Sequence, residues 1–104
     1  MLRHTFIMHL KPGYEEEYKK RHDEIWLELE TALKNAGISN YSISLHEKSG
    51  TLFAYQELSD SHTADDLPKK NIVKKWWAFM ADIMETNPDN SPKVTELKEV
   101  FYLK

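Results

Sequence analysis

The segment Tyr18-Lys-Lys-Arg-His-Asp-Glu-Ile-Trp26 predicts the first half of a long amphipathic helix over residues 14–36. Successive residues of an α-helix turn by about 100° around its axis, so residues three and four apart share a face. On this spacing His22 lies on the apolar face, one turn after Tyr18, and Trp26 lies just beyond its edge. The remaining residues on that face are Tyr14, Ile25, Leu29, Ala32, Leu33 and Ala36.

The rest of the chain predicts four strands and a second helix. The strands are predicted at residues 2–10, 41–45, 51–58 and 97–103, and the second helix at 69–84. The turn Lys48-Ser-Gly50 joins the two middle strands as an antiparallel hairpin, and the polar segment 59–68 predicts a loop or a broken helix. The order βαββαβ predicts an α+β fold of the ferredoxin-like kind, an antiparallel sheet with both helices on one face, in a single domain over residues 1–104.

Several predicted strands carry apolar residues on both faces. Strand 51–58 presents Leu52 and Ala54 on one face, and Phe53 and Tyr55 on the other. Two helices cover only one side of a small sheet, so the second apolar face needs another cover. We therefore predict a homodimer in which the two sheets pack face to face.

Composition limits the function classes. The length of 104 residues suits one domain, and a net charge of −3 argues against nucleic acid as a partner. The chain has no cysteine, which excludes disulfides and thiolate catalysis and favours a reducing cytoplasm. No run approaches the roughly 18 apolar residues of a membrane span, and residues 1–10 lack the apolar centre of a signal peptide.

Five side chains are candidates for chemistry, namely one histidine, two tyrosines and two tryptophans. His22 is either a buried histidine satisfied by a hydrogen bond or a general acid/base, and Tyr18 can reach the same pocket. Trp76 and Trp77 are either core residues or an aromatic wall for the C–H face of a sugar. Tyr41 either packs in the core or hydrogen-bonds a ligand.

Other site types find little support in the sequence. No two histidines have the i, i+4 spacing of a helical zinc site, and the chain has only three glycines and no Gly-rich phosphate loop. No serine lies in a nucleophile-elbow context. We therefore expect neither a metal nor a cofactor.

The chain resembles the L-rhamnose mutarotase family along essentially its whole length. The resemblance is carried by Tyr18–Trp26, Asn40-Tyr-Ser-Ile43, Trp76-Trp-Ala-Phe-Met80, Asn87-Pro-Asp-Asn-Ser-Pro92 and Glu99-Val-Phe-Tyr-Leu103. It implies a cofactor-independent isomerase of the dimeric ferredoxin-like, α/β-barrel kind, which interconverts the α and β anomers of L-rhamnose. It further implies His22 as proton donor and sugar contacts at Tyr18, Tyr41, Trp76 and Trp77.

One departure from the family pattern is visible. Relatives often carry proline after the Ile-Trp pair, where this chain has Leu27, and leucine predicts a straighter helix there. Two alternative functions stay open from the residues. One is a cofactor-independent or haem-degrading monooxygenase of the same fold, and the other is a non-catalytic sugar-binding module.

Overall fold

The computed structural model describes residues 1–104 and contains a four-stranded antiparallel sheet with helices, as predicted for an α+β fold. The strands are β1 (Leu2–His9), β2 (Ile38–His46), β3 (Thr51–Leu58) and β4 (Thr95–Glu96). The helices are α1 (Glu15–Asp23), α2 (Leu27–Asn35) and α3 (Asn71–Met80), and a 3₁₀ helix spans Ala64–Lys69. The strand order is β2-β3-β1-β4. None of the helices has the length and apolar content needed to cross a bilayer.

The core lies between the helices and one face of the sheet. Alternate residues of β1 and β3 point into it, so Phe6, Met8, Leu52 and Ala54 are buried. The helices contribute Leu29, Val73, Trp76 and Met80 from the other side. On the opposite face Phe53 remains 45% exposed, next to its ladder partner Ile7. The prediction of apolar residues on both faces therefore describes this sheet correctly.

The prediction of one helix over residues 14–36 is wrong, because the chain breaks between α1 and α2. Glu24 and Ile25 donate backbone hydrogen bonds to the carbonyls of Lys20 and His22, which ends α1. Trp26 is extended (φ −63°, ψ 132°), and its carbonyl accepts the first backbone hydrogen bond of α2. The break places the Trp26 ring against α3, where it contacts the rings of Trp76 and Phe79.

Leu27 does not straighten the helix, contrary to the expectation from its helix propensity. It is the first residue of α2 and 76% of it is exposed. The first helical position needs no backbone N–H partner inside the helix, so it accepts proline and leucine alike. The break is therefore held by the packing of Trp26 rather than by the identity of residue 27.

The second predicted helix is shorter than expected at both ends. Pro68 lies in the 3₁₀ helix, and the extended Lys70 separates that helix from α3. After Met80 the backbone leaves the helix because its polar groups bond to β1 and the turn after it. The Ile83 carbonyl accepts from the Lys11 N–H, and Met84 bridges to Leu10. Ile83 and Met84 nevertheless stay buried, as the apolar pattern predicts.

The prediction of a last strand over residues 97–103 is wrong in both position and length. β4 consists of Thr95 and Glu96, which pair with Ile7 and Phe6. The following segment is held at Arg3, which binds Glu99 and lies over the Tyr102 ring at 3.4 Å. Beyond the hydrogen bond from the Leu97 N–H to the Thr5 carbonyl this segment forms no ladder with β1, and its apolar residues remain largely exposed, namely Val100, Phe101 and Leu103.

Candidate active site

An aromatic cluster between α1 and α3 contains three of the predicted site residues. The Tyr18 and His22 rings stack on one face of α1, with centroids 4.2 Å apart. This pair follows from local geometry, because residues four apart on a helix are neighbours. The Trp76 ring meets His22 edge to face at 5.4 Å. The packing of α3 against the helices before it therefore brings Trp76 to a pair that α1 forms by itself.

His22 is held with one ring nitrogen free. Its Nδ1 lies 3.0 Å from the backbone carbonyl oxygen of Tyr18. A carbonyl only accepts, so Nδ1 carries the hydrogen, and in the neutral ring Nε2 keeps its lone pair. Burial lowers the His22 pKa from its ordinary value, against the opposing effects of that carbonyl and of Asp23. His22 is thus set up as a neutral imidazole with a basic Nε2.

The two candidate tyrosines keep their protons. Tyr18 is buried, and burial raises its pKa well above the ordinary value, with a further contribution from the nearby Tyr41 phenol. Tyr41 leaves 39% of its surface exposed, and the burial of the remainder raises its pKa to about 12. Both hydroxyls therefore remain hydrogen-bond donors throughout the neutral pH range.

A β-bulge determines where Tyr41 lies. The β2–β3 ladder pairs Ser39 with Glu57 and Ser42 with Tyr55, so Asn40 and Tyr41 together lie opposite the single residue between those partners. Asn40 adopts a positive φ of 47°, and its Nδ2 donates to Glu57 Oε1 at 2.8 Å. The bulge occurs at the strand position that carries the candidate ligand-binding phenol.

Trp77 lies apart from the ring contacts of the cluster. It is half-buried and packs against the core, one residue after Trp76 and therefore about 100° around α3. Two aromatic residues that the sequence did not single out complete the cluster. Trp26 meets Trp76 at 5.1 Å, and Phe79 lies 5.4 Å from Trp26 and 5.6 Å from Trp76. Trp26 was missed because a continuous helix places it outside the apolar face.

Arg21 connects the helix of His22 to the end of the helix of Trp76. Its Nη1 donates to the Phe79 carbonyl and to Asp82, both at 2.8 Å, and Nη2 reaches the second Asp82 oxygen at 3.2 Å. Nε donates to Glu17 at 2.7 Å, and the guanidinium lies 4.6 Å from the Phe79 ring centre. Only 12% of the Arg21 side chain is exposed. The sequence offers no signal for the contacts with Phe79 and Asp82, since these residues lie about 60 positions further along the chain.

The surroundings of the cluster are polar. A cleft of about 180 Å³ opens beside Trp26 and Phe79, with Arg21 among its charged lining residues. A second cleft, of about 330 Å³, lies between α2 and the segment before α3. Neither cleft is lined by His22 or Trp76. No group of three or more His, Asp or Glu side chains is arranged to share a metal ion.

Comparisons with known proteins show what the whole chain is similar to. Residues 3–103 match the family model described as L-rhamnose mutarotase. L-rhamnose mutarotases from Listeria monocytogenes and Sinorhizobium fredii are 55% and 53% identical, and each alignment covers 99% of both chains. The crystal structure of an L-rhamnose mutarotase from Formosa agariphila superposes with a TM-score of 0.94 at 50% identity, covering 100% of both chains.

Proposed function

The chain belongs to the L-rhamnose mutarotase family, and from this premise we propose that it interconverts the α and β anomers of L-rhamnose with His22 as the catalytic residue. The observation that carries the proposal is the free Nε2 of a neutral His22 between a stacked tyrosine and an edge-on tryptophan. The family match over nearly the whole chain favours this isomerase function over a monooxygenase or a binding module.

The reaction needs one proton acceptor and one proton donor. Ring opening removes the proton from the anomeric hydroxyl, breaks the bond from C1 to the ring oxygen, and protonates that oxygen. Rotation about C1–C2 then presents the other face of the aldehyde, and the ring closes by the reverse transfers. A positioned acid/base contributes about 10² to 10⁴-fold, which suits a reaction that water already performs slowly.

His22 can perform both transfers in sequence. Its neutral Nε2 first takes the proton of the anomeric hydroxyl, and the resulting imidazolium then donates that proton to the ring oxygen. His22 is therefore the proton donor to the ring oxygen only after it has acted as the base. The carbonyl of Tyr18, at Nδ1, stabilises the transient positive charge.

The sugar contacts are proposed at Tyr18, Tyr41, Trp76 and Trp77. The phenols of Tyr18 and Tyr41 stay protonated and can donate to sugar oxygens. Indole rings offer an apolar face to the C–H groups of a sugar and an N–H to its hydroxyls. The Trp76 ring meets His22 at 5.4 Å, so a sugar that contacts Trp76 would lie close to the imidazole.

We propose that the working protein is a homodimer of the ferredoxin-like, α/β-barrel kind, in which the open sheet faces of two copies pack together. The apolar residues that support this are Ile7, Phe53 and Tyr55 on that face, and Val100, Phe101 and Leu103 in the exposed final segment. The proposed setting is the cytoplasm, which suits a chain without cysteine.

The direct test is anomer exchange measured by saturation-transfer NMR at the two anomeric protons of L-rhamnose. His22→Ala is expected to lower the enzyme-dependent exchange at least tenfold while sugar binding survives. His46→Ala is the matched control, because that imidazole bonds to Ser49 in the β2–β3 turn. Equal exchange by the two variants would contradict the assignment of His22.

The same preparation separates the alternatives. A non-catalytic sugar-binding module would bind L-rhamnose and leave exchange at the spontaneous rate. A haem-degrading monooxygenase would show a stoichiometric Soret shift on haem titration.

A further inference from the structure

Gln56 carries a buried polar atom without a protein partner. It lies on β3 in alternation with Ala54 and Leu58, so its side chain points into the layer between sheet and helices. Only 7% of the residue is exposed, and its side-chain oxygen Oε1 accepts no hydrogen bond from the protein. A buried acceptor without a donor is destabilising, so such atoms in native proteins call for an explanation.

A chain of hydrogen bonds fixes the orientation of the Gln56 amide. Nε2 of His4 lies 2.6 Å from a Glu96 carboxylate oxygen, which can only accept, so this nitrogen carries the hydrogen. The amide nitrogen of Gln56 lies 2.9 Å from the other ring nitrogen of His4, Nδ1. Oε1, at the opposite end of the amide, is therefore directed away from His4.

The position of Gln56 in the ladder connects this oxygen to the candidate active site. Asn40 and Tyr41 lie opposite Gln56, because the bulge falls between the pairs Ser39–Glu57 and Ser42–Tyr55. Residues opposite each other on adjacent strands have Cβ atoms about 5 Å apart. The Tyr41 phenol lies near the Tyr18 phenol of α1 on the helix side of the sheet. Gln56 projects to the same side.

We infer that Oε1 of Gln56 accepts a hydrogen bond from a ring hydroxyl of the bound sugar, so that Gln56 is a specificity-determining residue of the site. Every non-anomeric hydroxyl of L-rhamnose is a donor, and a buried unpaired acceptor discriminates strongly against a sugar that lacks the matching hydroxyl. His4 and Glu96 are then positioning residues, which act on the sugar through the orientation of the amide. This inference rests on the proposed sugar-binding function.

The test combines a protein variant with modified sugars, and the binding affinity of each pair is measured by isothermal titration calorimetry. The sugars are L-rhamnose and its analogues deoxygenated at C2, C3 or C4, and the variant is Gln56→Met, which keeps length and removes both polar ends. In the unmodified protein one analogue is expected to bind about three- to tenfold more weakly than L-rhamnose, as one hydrogen bond implies. Gln56→Met is expected to bind L-rhamnose more weakly than the unmodified protein does, by a similar factor. The variant should bind that analogue no more weakly than it binds L-rhamnose.

The outcomes are distinguishable. The inference is wrong, while the proposed function stands, if Gln56→Met binds L-rhamnose as tightly as the unmodified protein does. It is also wrong if every analogue loses as much affinity relative to L-rhamnose in the variant as in the unmodified protein. If the unmodified protein binds no L-rhamnose, both are wrong. A purely structural role would lower the melting temperature and leave sugar affinities unchanged. If Gln56→Met does not fold, Gln56→Leu replaces it. Independently of any variant, equal affinity of the unmodified protein for all four sugars would overturn the inference.

Discussion

The guanidinium of Arg21 binds the carboxylate of Asp82 through two nitrogen atoms, at 2.8 and 3.2 Å. This contact spans from α1 to the turn after α3, and the next residue along the chain from Arg21 is His22. Because Arg21 also binds the Phe79 carbonyl, it fixes the end of α3 relative to α1. The spacing between the His22 and Trp76 rings therefore depends on an ion pair outside the cluster itself.

Arg21→Lys keeps the positive charge, but it is expected to impair catalysis because lysine cannot form the bidentate contact with Asp82. We expect the free energy of unfolding to fall by about 1 kcal/mol, since Asp82 is well exposed and the pair is screened by solvent. Enzyme-dependent exchange should fall several-fold. Lys19→Ala is the control, because it removes an exposed pair with Asp23 within α1. Equal effects of the two changes would contradict a positioning role for Arg21.

The pH dependence of exchange should follow the neutral form of His22. Burial lowers its pKa, so the imidazole is neutral at pH 7 and gains a proton only below its ordinary value of about 6.5. The enzyme-dependent rate, corrected for spontaneous mutarotation, should therefore be level from pH 7 to 9 and fall below pH 6.5. The phenols do not titrate in that range, since the pKa of Tyr41 is about 12 and that of Tyr18 is also raised. If the rate instead decreases as the pH is raised from 6.5 to 8, the active form of His22 is the imidazolium, which would then act first as the acid.

The bulge at Asn40 offers a conformational test of how Tyr41 is positioned. Asn40→Ala and Asn40→Gly both remove the hydrogen bond to Glu57, but only glycine adopts the positive φ of 47° freely. Alanine in this region costs about 1 kcal/mol. We expect Asn40→Ala to weaken sugar binding clearly and Asn40→Gly to weaken it less, as measured by titration with L-rhamnose. The reverse order would show that the backbone conformation does not position the phenol.

Leu27→Pro tests the break between α1 and α2. The extended conformation of Trp26 suits a residue before proline, and the first helical position lacks an intrahelical N–H partner. We expect the variant to fold and to gain about 0.5 to 1 kcal/mol in urea unfolding, through a less flexible unfolded chain. Thr31→Pro, inside α2, is the control and should lose about 3 kcal/mol. A comparable loss in Leu27→Pro would mean that the helix is continuous in solution.

Phe53→Glu tests the proposed dimer. Phe53 is 45% exposed at the centre of the open sheet face, where a charge would be buried if two copies pack there. We expect the unmodified protein to sediment as a dimer at micromolar concentration and Phe53→Glu to sediment as a monomer. Leu27→Glu changes an exposed apolar residue on α2 and should remain a dimer. A monomeric mass for the unmodified protein would refute the proposal.

Local patterns in the sequence determined much of the molecule. Alternation and the Lys48–Gly50 turn predicted the β2–β3 hairpin, and β3 begins and ends at the predicted residues. Four-residue spacing on a helix was sufficient to bring Tyr18 beside His22. The apolar pattern also identified Ile83 and Met84 as buried, although they lie beyond the end of α3. These features depend on neighbours in the chain, whose geometry is short-ranged.

Only the tertiary structure decided the features that depend on distant partners. The helix breaks before Leu27 because Trp26 packs on Trp76 and Phe79, a contact that periodicity cannot detect. The alternation of segment 97–103 predicts a strand, yet the ladder with β1 ends at the pair Phe6–Glu96. The tertiary structure likewise brings Trp76 to His22 and leaves the carbonyl of Gln56 buried without a donor. Such contacts form only when the sheet and helices pack together, so the local sequence predicts the side chains of the site but not their arrangement.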